Sequence, residues 1–125
     1  GNILITSIAK ENEILAMHMY MKDDKLGRVR LWYSASNFRQ YEKQNLSRNI
    51  IARANKSLHY DDMKYFKRKE YLLYDFGGYA YKTDSPDLIG INNFKDQFGG
   101  DLVEESNYST FLYSLIKNIK TYLIP

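Results

Sequence analysis

Hydrophobic and polar positions alternate through the first third of the chain. Residues 3–9 read as a strand, with a short turn at Lys10 to Asn12. Residues 13–21 then place Leu15, Met17, Met19 and Met21 on one face and Ile14, Ala16, His18 and Tyr20 on the other. Both faces are largely apolar, which predicts a strand covered on both sides. A polar turn over 22–27 leads to a third strand at 28–35, and the three make an antiparallel meander.

The period then changes. A polar loop spotted with aromatics at 36–46 precedes a helix that Ser47 can cap and that runs to about Lys69. Its wide apolar side holds Ile50, Ile51, Ala54, Leu58, Met63, Tyr65 and Phe66, opposite Arg53, Lys56, Ser57, Lys64 and Lys67. Asn55, His59 and Asp62 fall within the apolar side. Two readings are open for them: hydrogen bonding at the edges of the helix, or facing a site or bracing a neighbouring strand.

Residues 71–76 form a short strand whose position after a helix predicts a crossover to a parallel neighbour. Gly77 and Gly78 end it. A loop containing Ser85-Pro86 leads to a helix at 88–98, closed by Gly99-Gly100, and residues 101–106 read as a last short strand. Tyr108, Phe111, Leu112, Leu115, Ile116, Ile119, Tyr122 and Leu123 recur at helical spacing and predict a C-terminal amphipathic helix. The expected architecture is one α/β layered domain over 1–125.

Composition narrows the chemistry. The chain has 125 residues, a net charge of +3 and no cysteine, so disulfides, zinc thiolates and a catalytic thiol are excluded. Two histidines cannot make a convincing metal site alone. Mild basicity fits an anionic partner without requiring one. Twelve tyrosines against six phenylalanines suit wet clefts as well as cores. No apolar run approaches the ~18 residues of a membrane span, and no signal peptide is visible, so the cytoplasm is the expected compartment. Gly1 in place of an initiator Met suggests a piece of a longer protein.

Chemistry concentrates in two glycine-tagged segments: Asp75-Phe76-Gly77-Gly78, and Gly90-Ile91 through Phe94-Lys95 to Phe98-Gly99-Gly100. Glycine pairs point to tight turns or close backbone approach to a ligand. Lys95 between two phenylalanines is unusual for a merely solvated charge. The plainer reading packs Phe94 and Phe98 on a core as an i, i+4 pair, leaves Lys95 in solvent and lets Asp75 cap the next turn. Asp75-Phe76-Gly77 matches the metal-binding triplet of protein kinases, but no His-Arg-Asp loop or Gly-rich phosphate loop accompanies it. Walker A, G-x-G-x-x-G, G-x-S-x-G and H-E-x-x-H sequences are all missing.

Residues 14–21, 31–36, 58–66, 74–78 and the stretch from Gly90-Ile91 to Phe94-Lys95-x-x-Phe98-Gly99-Gly100 resemble, in order and spacing, the C-terminal part of the GNAT-type N-acyltransferase fold. The resemblance covers roughly residues 10–100. It is closest to the FemABX branch, whose members transfer amino acids from aminoacyl-tRNA onto peptidoglycan precursors. It implies a GNAT-like mixed sheet, with the antiparallel meander followed by a parallel β-α-β crossover and the family's N-terminal elements missing. It also implies a transferase of cell-wall biogenesis that moves an acyl or aminoacyl group to an amine. The donor would enter where strands 28–35 and 71–76 splay apart. Lys95 would lie near the donor carbonyl, where its charge stabilises the oxyanion or the phosphates of a tRNA end, and Phe94 and Phe98 would exclude water. Asp75 would orient Lys95 or brace the Gly77-Gly78 turn, while Tyr33 and Ser34 would contact the donor.

One departure bears on the donor. Acetyl-CoA enzymes of this fold carry a Gly-rich pyrophosphate loop between the third strand and the long helix; here Ser36-Asn37-Phe38 through Arg48 contains no glycine. This argues against conventional acetyl-CoA binding and leaves aminoacyl-tRNA or an acyl-CoA open as the donor. The alternative is a non-catalytic half-domain that forms a homodimer or binds a partner through surface left bare by the missing elements.

Overall fold

The computed structural model describes residues 1–37 and 48–106. The chain divides into two compact units, Gly1–Lys82 and Thr83–Pro125. The first contains strands β1 (Ile3–Lys10), β2 (Glu13–Asp23) and β3 (Arg28–Ser36), helix α1 (Arg48–Arg68) and strand β4 (Leu73–Asp75). In the second, the described residues contain helix α2 (Pro86–Asp96). The four strands form one mixed sheet in the order β1-β2-β3-β4, with β1, β2 and β3 antiparallel and β4 parallel to β3. The expected meander and crossover are both present. The expected strand at 101–106 is not formed: these residues follow Gly99 and Gly100, both at positive φ, are exposed throughout, and pair with no strand among the described residues. The predicted C-terminal helix lies outside the described residues, as does most of the 36–46 loop.

Two register shifts decide which side chains enter the core. Between Ile8/Ala9 and the facing β2 residues, Leu15 is the extra residue, so Leu15 and Ala16 are both buried. This moves Leu15 away from Met17, Met19 and Met21, with which simple alternation would group it. A second shift makes Trp32 the extra residue of β3 opposite Met19 and Tyr20. Trp32 and Tyr33 consequently stack, with ring centroids 5.6 Å apart.

Helix α1 covers one face of the sheet. Its buried stripe, Ile51, Ala54, Leu58, His59, Asp62 and Phe66, follows the 3- and 4-residue steps of a helix face. Leu15, Ile51 and Ala54 pack with Ile8 and Ile50 at one end. Tyr20, Val29 and Phe66 pack with Leu4, Leu31, Tyr71 and Tyr74 at the other. Tyr65, expected on the apolar side, stays exposed at its margin. The expectation that β2 is covered on both sides is not met, since Met17 and Met21 remain 38% and 41% exposed. Helix α1 occupies the opposite face.

Phe66 joins the far core and stacks edgewise on Tyr20 and Tyr71, at 5.0 and 5.4 Å. Phe66→Ala should cost about 3–5 kcal/mol, the range for emptying a buried aromatic site. Tyr60→Ala, on the exposed side of the same helix, should cost less than about 1 kcal/mol. Urea unfolding of the two variants measures the contrast, and equal losses would contradict this assignment of the core.

Candidate functional site

The pleat brings polar side chains of four elements together beneath α1. Thr6 of β1, His18 and Tyr20 of β2, and Tyr74 of β4 all point toward the helix, which presents Asn55, His59 and Asp62 one turn apart. The hydroxyls of Thr6 and Tyr20 donate to Asp62 Oδ2 at 3.0 and 2.6 Å. His18 Nδ1 lies 2.8 Å from the same oxygen. His18 Nε2 meets Asn55 Oδ1 at 2.9 Å. Set against the Asp62 carboxylate, which only accepts, Nδ1 is the donor of that contact.

The network continues toward β4. The Tyr20 and Tyr74 hydroxyls are 2.7 Å apart, and His59 Nδ1 lies 2.9 Å from the Tyr74 oxygen. The rings of His18 and His59 lie face to face with centroids 4.0 Å apart and a 35° tilt. His18, Tyr20, His59 and Asp62 are each at most 3% exposed. Burial, above all, pushes the Tyr20 and Tyr74 phenols far up, so both are un-ionised hydroxyls. Among the described residues, every buried side-chain polar atom has a partner. The helical positions of Asn55, His59 and Asp62 are thus explained by bracing across to the strands, the second of the two readings open in the sequence.

Asp75 sits on the opposite face of β4, as alternation requires. Its Oδ2 accepts from Arg28 at 2.5 Å and lies 3.6 Å from Arg30 Nε, while its Oδ1 accepts the Gly77 N–H at 2.7 Å. Both oxygens are therefore engaged, and the carboxylate braces the turn into Gly77-Gly78. Burial alone would raise this carboxyl. The hydrogen bonds from Arg28 and Gly77 and the charges of Arg30 and Arg28 outweigh it and hold the group below its ordinary value.

The β3–β4 ladder is brief. Arg28, Val29 and Arg30 pair with Leu73, Tyr74 and Asp75, and no pairing follows. Gly77 has φ +74°, and a Cβ there would stand 3.2 Å from the Leu31 carbonyl oxygen. The two strands thus touch through glycine at Leu31 and then part, leaving β3 to run on to Ser36 without β4 beside it. Tyr33 and Ser34 lie on this continuing stretch, and Gly77 and Gly78 on the departing chain. These four predicted residues thus flank the point where the β3–β4 pairing ends.

Lys95 and Phe94 lie on α2 and Phe98 just beyond it, in the second unit. The Phe94 and Phe98 rings pack edge to face at 5.2 Å, and Lys95 is half-buried. The helix has Ser85 at its N-cap and Pro86 in its first turn, and it stops before Gly99 and Gly100. Among the described residues no group of three or more His, Asp or Glu side chains is placed to hold a metal ion, and no helix is long and apolar enough to cross a membrane.

A carboxyl held below its ordinary value stabilises the fold fully above the unfolded value, near 3.8, and loses that contribution as pH falls through the lower folded value. Asp75→Asn should therefore cost about 1–2 kcal/mol at pH 7, the scale of a half-screened charge-assisted bond. The deficit should shrink steadily as pH is lowered below about 4. Urea melts of both proteins at neutral and acid pH measure it, and a deficit independent of pH would show that the carboxylate's charge is not the cause.

No family model, curated protein or solved structure matches the chain.

Proposed function

We propose that this chain is an acyltransferase or aminoacyltransferase of GNAT-like fold that moves an acyl group onto an amine, with a cell-wall precursor as the acceptor class. The parting of two parallel strands after three paired residues carries this reading. An opened parallel pair leaves a row of main-chain N–H and C=O groups along one strand edge, which can grip an extended, amide-bearing donor as an added strand would be gripped. The glycine pair beside Leu31 allows a ligand to approach the main chain closely.

Amine acylation needs a polarised donor carbonyl, a stabilised oxyanion and a route for the amine's proton. Tyr33, Ser34, Gly77 and Gly78, which flank the end of the β3–β4 pairing, are the residues proposed to bind the donor. The resemblance to the transferase fold makes Lys95 the cation proposed for the oxyanion, with Phe94 and Phe98 excluding water around it. Asp75 would act through the Gly77 turn rather than on the substrate. Aminoacyl-tRNA suits the glycine-free stretch after β3 better than an acyl-CoA does.

A second reading is favoured by one observation. On the sheet face away from α1, Ile3, Ile5, Trp32 and Tyr33 are 54%, 58%, 50% and 61% exposed. A patch of this kind suits a partner or a second copy, and the chain would then be a non-catalytic half-domain.

The test supplies a tRNA pool charged with 14C-amino acids, or 14C-acetyl-CoA, together with a UDP-linked muramyl pentapeptide. Label should pass from the charged tRNA to the peptide's amine. Lys95→Ala should lower the rate by about 100-fold or more, the cost of losing one oxyanion-stabilising group, with little change in Tm. A chain that moves no label from either donor and sediments as a dimer would favour the half-domain. Full activity in Lys95→Ala would remove Lys95 from the mechanism.

A further inference from the structure

The outer face of α1 carries charge that the packing of the sheet does not use. Arg53, Lys56, Tyr60, Lys64 and Lys67 recur at three- and four-residue steps, and all five are exposed. They fall within about 80° of one another around the helix axis and make a stripe about 21 Å long. It lies opposite the buried stripe of Ile51, Ala54, Leu58, Asp62 and Phe66. The acids of α1 are Asp61 and Asp62. Asp62 is buried against the sheet, and Asp61 is rotated about 60° beyond the edge of the stripe. No acid of α1 interrupts the cations. Tyr60 stands at the centre, 56% exposed, with Lys64 Nζ 4.4 Å from its ring centroid.

This pattern differs from a helix face that merely meets water. Opposite charges one turn apart stabilise such a face, and like charges there repel. Arg53 with Lys56, and Lys64 with Lys67, are like pairs at three-residue spacing. A partner with its own line of negative charge relieves that repulsion. Lysine is depleted at protein–protein interfaces, yet three of these five residues are lysines. A helix that lies on a membrane buries an apolar face in the lipid, and the apolar face of α1 is already turned into the core. A nucleic-acid duplex presents a phosphate about every 3.4 Å along each strand, so about six lie along the length of the stripe. A tyrosine hydroxyl among the cations is a further donor to phosphate oxygens.

We infer that the outer face of α1 binds the phosphate backbone of an RNA, which in the proposed transfer is the acceptor arm of the charged tRNA. The identity of that RNA rests on the acyl-transfer reading; the charge stripe does not. The direction of α1 suits this role. Ile51 and Ala54 pack with Leu15. Ala16, next to Leu15, pairs with Ser36, where β3 has run past the end of β4. Phe66 packs with Val29 and Tyr74, where the two strands are still paired. The Arg53 end of the stripe therefore overlies the end of the sheet that holds Tyr33 and Ser34, and the Lys67 end overlies the paired end. An RNA held along the stripe thus has one end directed to the part of the sheet proposed to receive the donor. The drop from the outer face of α1 to the sheet is about one helix diameter, roughly 10 Å, which the single-stranded 3′ end of a tRNA can cross.

Fluorescence anisotropy of the full chain with fluorescein-labelled tRNA, over salt from about 50 to 200 mM, tests the stripe. Log affinity should fall against log salt with a slope of about −3 to −4, the value for four neutralised phosphates. Arg53→Gln/Lys64→Gln/Lys67→Gln keeps good helix formers at exposed positions. It should bind about 100-fold more weakly at the lowest salt, with a slope near about −1. Lys10→Gln/Lys25→Gln/Lys82→Gln removes the same charge from exposed positions elsewhere and should stay within about threefold of wild type. In the labelled transfer assay, the stripe variant should raise KM for charged tRNA and keep kcat. Equal weakening in the two triple variants overturns the inference, because net charge alone then accounts for binding. A wild-type chain that ignores tRNA, or prefers phosphatidylglycerol vesicles to it, also overturns it. Label transfer by the stripe variant at the wild-type KM removes the stripe and keeps the transferase. Binding with the expected slope in a chain that transfers no label keeps the stripe and removes the transferase.

Discussion

Three donors converge on one oxygen in the interior of this fold, and much of the first unit is arranged around that point. Asp62 Oδ2 receives Thr6, His18 and Tyr20 from two strands while riding on a helix. A buried carboxylate is tolerable only when paired and hydrogen-bonded. The register of α1 against the sheet is therefore strongly determined. A shift of one residue along the helix would rotate Asp62 by about 100° and strand both the charge and its donors. The two strands are constrained in the same way, since a slip of one position would turn His18 and Tyr20 to the solvent face.

Strand β4 shows how a three-residue strand is held. Its ladder to β3 is short, so side chains on its two faces must do much of the anchoring. On the helix side, Tyr74 bonds to Tyr20 and His59. On the other side, Asp75 binds Arg28 and the Gly77 N–H. Both anchors lie at or before the point where the chain turns away. The end of the ladder is thus fixed from both faces of β4. The bulge at Trp32 follows closely after the last paired residues on β3, where a bulge adds local twist.

Much of this was legible in the residues. Alternation located the three antiparallel strands, the change to a 3.6-residue period located α1, and a short strand after a helix implied the parallel pairing. Gly77-Gly78 marked the close approach. Two things were not legible. The Leu15 bulge is invisible to alternation, because an extra residue reverses the pattern without changing composition. The convergence on Asp62 is also non-local, since His18 and Tyr20 stand 44 and 42 residues from it. Asn55, His59 and Asp62 did stand out as polar residues at helical spacing on an apolar face, which is the trace such a network leaves. What they met could be read only once the sheet was assembled. Asp75 illustrates the same limit, because its binding to Arg28 and Arg30 follows from parallel register and not from local sequence.

The polarity of this interior calls for a physical reason beyond stability. Apolar residues of similar volume at His18, Tyr20, His59, Asp62 and Tyr74 would pack against Leu58 and Phe66 without any desolvation cost, and buried ion pairs are often no more stabilising than such replacements. What the polar set supplies instead is direction. A hydrophobic core would accept several rotations of α1 and several positions of a three-residue strand, whereas a chain of one-proton hydroxyls ending on a single carboxylate oxygen accepts one. The bonds that hold β4 against the sheet are thus the same ones that fix α1, and loosening either would loosen both.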